Sequence, residues 1–194
     1  VTLEANPGAQ EHGAWGDYRA AGVNRLSLGV QSLDDSLLVR LGRIHDSRAA
    51  LEAIAQAWAA GFSRLNADLM YGLPGQSVAA AQADIQRLLE VGVGHISHYQ
   101  LTLETETPMG RQPQADLPDE LTITEMEEVC RQAMFDYGLR RYEISAFACD
   151  EQRCRHNLNY WTYGDYLGVG PGAHGKLTLA PGRVVRNIAG GHPR

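Results

Sequence analysis

The chain has 194 residues, 44% hydrophobic and 21% charged, which is enough to bury an ordinary core and unlike a disordered or fibrous composition. Its formal charge of −6, with no local basic run, gives it no general attraction for phosphate backbones, so nucleic acid is not an expected partner. No stretch nears the roughly 20 apolar residues that span a bilayer, and no signal-peptide pattern opens the chain. Three cysteines argue against a disulfide scaffold, which makes a cytoplasmic setting the expectation.

The alternating run "VTLEAN" reads as a first strand that stops at Pro7-Gly8 and leads into a segment around Glu11 to Ala21, closed by Gly22. "RLSLGVQS" is the second strand. In the short helix after it, Ser32 and Asp35 are spaced as a capping box and Gly42 marks the stop. A longer helix after Asp46 sets Leu51, Ile54, Ala55 and Trp58 on one face and ends at Gly61, a residue that tolerates the left-handed conformation. "RLNADLMYGLPG" holds the third strand, with Pro74-Gly75 as the turn and Ser77 as cap of a helix whose apolar face is Ala81, Ile85, Leu88 and Leu89. "HISHYQLTLE" is the fourth strand. His95 and His98 point to opposite faces of it, so at least one serves the fold.

Strands alternating with helices at this rhythm predict βαβ units and a parallel sheet or barrel over residues 1–105. After a loop holding Pro108, Pro113 and Pro118 comes a long helix, Leu121 to Tyr137. Thr124 and Glu127 have capping-box spacing there, and Met126, Val129, Cys130, Ala133 and Tyr137 form the expected buried face, on which Cys130 reads as an inert packed thiol. "YEISAFA", the cluster "RHNLNYW" and the glycine-rich "GVGPGAHG" follow, so residues 106–194 are set apart as a second, α+β region. The chain opens without methionine on a strand already under way and closes just after the strand-like "RVVRNI", and so reads as an internal piece of a longer protein.

Parallel α/β folds place their chemistry at the carboxyl ends of the strands. The four strands end in Glu4 and Asn6, in Gln31 and Ser32, in Asp68 and Tyr71, and in Tyr99, Gln100, Thr102 and Glu104. One carboxylate at a strand end commonly just caps a helix; repetition over four strands points to a rim of hydrogen-bonding groups. Two carboxylates, an amide and Arg43 suit a ligand with hydroxyls and a charged amino acid end, since carboxylates accept from diols and guanidinium grips carboxylate.

The strings "LSLGVQS", "LGRIH", "DLMYGLPGQ", "HISHYQLTLE", "HNLNYW" and "DYLGVGPGAHG" resemble the radical S-adenosylmethionine proteins related to oxygen-independent coproporphyrinogen III oxidase, and within them the haem-chaperone branch. The resemblance implies a partial, TIM-like (β/α)6 barrel, in which a C-x3-C-x2-C motif holds a [4Fe-4S] cluster and S-adenosylmethionine chelates its open iron. Carried onto matching positions, it implies that Glu4, Gln31, Arg43 and Asp68 contact S-adenosylmethionine, with Thr102 and His174 aligning more loosely beside the nucleoside. Cys130, Cys149 and Cys154 do not have the motif's spacing, so the cluster cysteines are expected upstream, and this piece alone is expected to be inactive.

A histidine beside Tyr160 and Trp161 offers haem an axial ligand and apolar faces, and the resemblance adds that an H-N-x-x-Y-W segment marks the haem-chaperone branch. His156 is therefore a candidate haem ligand, with Tyr160 and Trp161 as pocket walls. His156, Asn157, Asn159 and Trp161 read equally well as a structural turn that braces the barrel mouth through side-chain to backbone hydrogen bonds. Cys149, Cys154 and His156 lack the fourth ligand of a closed zinc site. Three functions stay open: a haem chaperone passing haem to respiratory haem proteins, a coproporphyrinogen-decarboxylating oxidase, and a non-catalytic α/β scaffold. The first implies haem and haem-accepting proteins as partners, at most a peripheral membrane contact, and leaves room for a homodimer.

Overall fold

All seven residues of the strand Arg25–Gln31 are buried, as expected for a central strand covered on both faces. The computed structural model of the chain describes residues 1–8, 14–107, 109–111, 115–180 and 182–190. Four strands, β1 (Thr2–Ala5), β2 (Arg25–Gln31), β3 (Leu65–Tyr71) and β4 (His95–Gln100), pair in parallel in chain order. Between them run the helices α1 (Trp15–Ala20), α2 (Asp35–Arg40), α3 (Ser47–Ala59) and α4 (Val78–Glu90), which bears out the α/β class. The Glu11 start expected for the first helix, and Pro108 and Pro113, lie outside the described residues.

Beyond residue 105 the chain stays with the sheet. Helix α5 (Glu120–Asp136) packs on α4, and the short strands β5 (Arg140–Arg141) and β6 (Ala146–Ala148) join antiparallel to give the order β1-β2-β3-β4-β6-β5. The first compact unit accordingly runs from Val1 to Arg153, and the division expected after residue 105 falls inside it. The second unit, Cys154–Arg194, contains α6 (Arg155–Trp161) and the hairpin of β7 (His174–Thr178) and β8 (Val184–Ile188). "RHNLNYW" is therefore a helix rather than a turn.

The core of the first unit sits on one side of the sheet. Leu26, Leu28 and Val30, then Leu65, Ala67, Leu69 and Tyr71, then Ile96 and Phe147, share one parity and join a cluster with residues of α3, α4 and α5. Asp46 caps α3 by accepting from the Ala49 N–H at 2.7 Å, and Ser77 caps α4 through the Ala80 N–H at 3.2 Å. The expected α4 face of Ala81, Ile85, Leu88 and Leu89 is buried.

Several local expectations are corrected. On α3 the buried set is Ala50, Ala53, Ile54 and Ala57, while Ala55 is exposed. The small alanines let the helix lie close to β2, which turns the face away from Ala55. Ser32 does not cap α2: its hydroxyl donates to the buried Asp84 carboxylate at 2.7 Å, and Asp34 accepts from the Ser36 and Leu37 N–H groups instead. Thr124 is inside α5, where Asp119 is the cap, and its hydroxyl returns to the Glu120 carbonyl. Tyr137 follows the last turn and is exposed, its expected place being taken by Met134. Cys130 is fully buried, and desolvation pushes its thiol up to about 12, so it is inert as expected. His95 and His98 are both buried, on opposite faces of β4.

The α3 face generates a test. Ala57→Leu overpacks the helix–sheet contact and is expected to cost about 1–3 kcal/mol, whereas Ala55→Leu stays within about 0.5 kcal/mol; urea unfolding midpoints of the two variants decide.

Candidate functional site

The strand residues of the other parity do not join that core. Register sets Glu4 beside Ser27, Ser27 beside Asn66, and Asp68 beside Ser97, so polar groups of four strands lie side by side on one face. At its centre the Asn66 amide is fully engaged. Its Nδ2 donates to Ser27 Oγ at 2.7 Å and to Asp68 Oδ1 at 2.8 Å, and its Oδ1 accepts from Ser97 Oγ at 3.0 Å and lies 2.6 Å from His95 Nδ1. His95 Nε2 in turn lies 2.7 Å from the Tyr142 hydroxyl.

Burial raises the Asp68 pKa above the usual carboxylate range, hydrogen bonds from Asn66 and Ser97 pull against that rise, and the nearby Glu4 charge adds to it. Tyr99 is likewise raised, mainly by burial and then by the Asp68 charge, with Arg43 opposing.

At the carboxyl end of β2 the register shifts between Leu28 and Gln31, and Gln31 takes a φ of 68°, a left-handed conformation uncommon for a side-chain-bearing residue. The Tyr99 hydroxyl donates to Gln31 Oε1 at 2.7 Å, leaving the amide nitrogen of Gln31 toward Asn6. A Cβ on Gly29 would stand 2.9 Å from both Asn6 Oδ1 and Gln31 Nε2, so only glycine lets these two amides close over the backbone. Arg43 Nη1 donates to Asn6 Oδ1 at 3.3 Å. Thr102 is exposed just beyond β4 and lines, with Arg43, Gly42, Met70 and Leu101, an open groove of about 570 Å³.

Glu4, Gln31, Arg43 and Asp68 thus belong to one face and its rim, with Thr102 at the edge. Ser32 and Tyr71 do not: Ser32 bonds Asp84, and Tyr71 stacks on His98 at 4.5 Å on the helix side. Burial lowers His98 to about 3, which makes it a neutral core ring. Strand-end reasoning missed Ser27, Asn66, His95 and Ser97. They sit two or four residues earlier at the same parity, so the period of two would have found them. Tyr142 arrives from a different part of the chain, and no spacing signals it.

In the second unit, the His156 ring stands edge-on to Tyr166 at 6.3 Å, Tyr160 lies 5.9 Å from Tyr166, and Trp161 is edge-on to Tyr160 at 5.4 Å. Tyr160 and Trp161 line a cleft of about 130 Å³ with Tyr163, Tyr166, Lys176 and Arg186, smaller than the roughly 300–1,000 Å³ of an enclosing ligand pocket. His174 opens β7 and is exposed. Buried Lys176 donates to the Tyr163 carbonyl at 2.6 Å and to Asp165 Oδ1 at 3.1 Å, and Asn159 Nδ2 donates to the Asp165 carbonyl at 3.1 Å. The aromatic segment is thereby tied to the hairpin. Among the described residues no three His, Cys, Asp or Glu side chains group as a metal site, so the cysteines present do not fit an iron-sulfur cluster. No helix among the described residues is long and apolar enough to cross a membrane.

Residues 1–88 match the radical SAM superfamily. Over 194 residues the chain is 45% identical to the haem chaperone HemW of Escherichia coli K12, covering 51% of that protein. It is 44% identical to the mitochondrial radical S-adenosyl methionine domain-containing protein 1 of Bos taurus, covering 43% of it. The chain therefore spans about half the length of the curated relatives it matches. Among solved structures, coproporphyrinogen III oxidase (HemN) from Escherichia coli superposes over 90% of this chain and 44% of that one, with a TM-score of 0.76 at 22% identity. Elp3 of Methanocaldococcus infernus covers 67% of this chain and 32% of its own at 0.60 and 18%. At these identities the structures share the fold, and the sequence relatives carry the kinship further: residues 1–88 belong to the radical SAM superfamily, and the whole chain is similar to relatives named haem chaperone.

Proposed function

We propose that the chain is the part of a radical SAM haem chaperone that carries much of the S-adenosylmethionine site together with a haem-binding segment. The observation that carries this reading is the helix Arg155–Trp161, whose Tyr160 and Trp161 line an aromatic cleft, in a chain 45% identical to a protein named haem chaperone. In this reading Glu4 and Asp68 accept from the ribose hydroxyls, the Gln31 amide donates from the rim, and Arg43 grips the ligand's carboxylate. The fit rests on the polar parity of the face and on Gly29, whose missing Cβ leaves room for the Asn6 and Gln31 amides at the rim, with Arg43 donating to Asn6. When bound beside a reduced cluster, S-adenosylmethionine supplies an adenosyl radical. Thr102 and His174 contribute nucleoside contacts.

His156 is the haem ligand, with Tyr160 and Trp161 against the macrocycle edge, and the recipients are haem-accepting respiratory proteins. The oxidase alternative shares the fold and is decided by assay of the same preparation.

Three outcomes follow for the full-length protein with its cluster reconstituted. Asp68→Ala weakens S-adenosylmethionine binding by about 1–3 kcal/mol, measured calorimetrically; wild-type affinity in the variant would remove Asp68 from the site. His156→Ala lowers haem affinity by about tenfold or more in a visible absorbance titration, and an unchanged curve rules the ligand out. Coproporphyrinogen III stays unconverted in that preparation with reductant; its decarboxylation would establish the oxidase instead.

A further inference from the structure

Beneath Asp68 the polar face contains a chain of groups that the binding reading does not use: Tyr142, His95 and Asn66. Each link can be assigned. Both hydrogens of the Asn66 amide are committed, one to Ser27 Oγ and one to Asp68 Oδ1, and an ionised carboxylate only accepts. That orientation turns Asn66 Oδ1 toward Ser97 and His95, so the His95 nitrogen 2.6 Å away carries the hydrogen. The ring is neutral, because burial and the charges of Arg25 and Arg64 lower His95 to about 3. A neutral ring protonated on Nδ1 has a bare Nε2, and that atom accepts from the Tyr142 hydroxyl at 2.7 Å.

Were the ring protonated on Nε2 instead, its bare Nδ1 would attract the Asn66 NH2 group and turn the amide oxygen onto the Asp68 carboxylate. A buried carboxylate facing an amide oxygen loses a hydrogen bond and gains a repulsion, which costs more here than in water.

We infer that His95 is a positioning residue for Asp68: as the Nδ1–H tautomer, with Nε2 accepting from Tyr142, it fixes the Asn66 amide so that its NH2 end aims the carboxylate at the ligand. This inference rests on the reading of Asp68 as an S-adenosylmethionine contact. His95 itself touches no ligand in this scheme. The effect passes through one amide whose two ends are chemically opposite, so it is specific to the hydrogen His95 presents rather than to the volume it fills.

The test uses the full-length protein with its cluster reconstituted and S-adenosylmethionine as the probe. His95→Leu fills the space without the donor and is expected to weaken binding by about three- to tenfold. His95→Asn places an amide N–H where Nδ1–H stood and is expected to stay within about twofold of wild type. Asp68→Ala is measured alongside. Loss in both Asp68→Ala and His95→Leu, with recovery in His95→Asn, is the supporting pattern. Loss in Asp68→Ala with wild-type affinity in His95→Leu, or equal loss in both His95 variants, overturns the inference and leaves the site reading standing. A silent Asp68→Ala takes down the site reading and the positioning role together. Should His95→Leu fail to fold, nitrogen NMR of histidine-labelled wild type decides, the His95 signals being those lost in His95→Asn. A neutral ring protonated on Nδ1 supports the inference; an Nε2-protonated or charged ring overturns it.

Discussion

The period of two along a parallel strand is the constraint from which the first unit follows. With helices on one side, each strand commits alternate residues to the core, and Leu26, Leu28, Val30, Leu65, Ala67, Leu69 and Ile96 do that work. The residues between them are released from packing. They can be serine, asparagine, aspartate or histidine without cost to the core, provided that they satisfy one another. A one-residue slip in β3 would exchange Ala67 for Asp68 against the helices, so register is enforced by both faces at once.

Satisfaction on the polar face is what makes its buried members tolerable. Asn66 and His95 are each only 1% exposed, and an unpaired amide or imidazole at that depth would cost a few kcal/mol. Each has a partner on every side, and a fully paired network is rigid where a partly paired one is a liability. Rigidity matters most at Asp68, whose pKa is raised by burial while its hydrogen bonds oppose that rise. The strained backbone of Gln31 tells the same story at the rim. The Tyr99 hydroxyl donating to the Gln31 side-chain oxygen holds this left-handed residue, so its placement is bound to the polar face rather than to the core.

What was legible in the sequence divides along the same line. The four parallel strands, the helices after Asp46 and Ser77, and the cap Ser77 are local, within a few residues, and they read correctly. Ser32 looked like a cap by spacing and is not one: its hydroxyl donates to Asp84, 52 residues later, and accepts from the Asp34 N–H, while the helix starts two residues further on with Asp34 as its cap. The extension of the sheet by β5 and β6 was hidden for a similar reason. "YEISAFA" contributes only the three residues Ala146–Ala148 to β6, antiparallel to β4, and neither the partner nor the direction is written in so short a run. Ala55 and Tyr137 were misplaced on helix faces, since helical spacing admits neighbouring stripes and only tertiary packing picks between them. In the candidate site, the rim was visible because it repeats at four strand ends, whereas the hub below it depends on pairing between strands.

Within "RHNLNYW" the hydrogen bonds to Gly164 and Asp165 fall on Asn159. Asn159 is structural. Its carbonyl accepts from the Gly164 N–H at 2.7 Å, its side chain bonds the Asp165 carbonyl, and a Cβ on Gly164 would collide with its amide. Tyr163, at a φ of 60°, and Gly164 turn the chain sharply so that Asp165 meets Lys176 and receives the Thr178 N–H. Those bonds, rather than the aromatic rings, join α6 to the hairpin. The His156, Tyr160 and Trp161 side chains are then not needed as the clamp, and Tyr160 and Trp161 remain 48% and 44% exposed beside an open cleft. Large aromatic rings left half in solvent by a segment that already has its brace are groups available to a ligand.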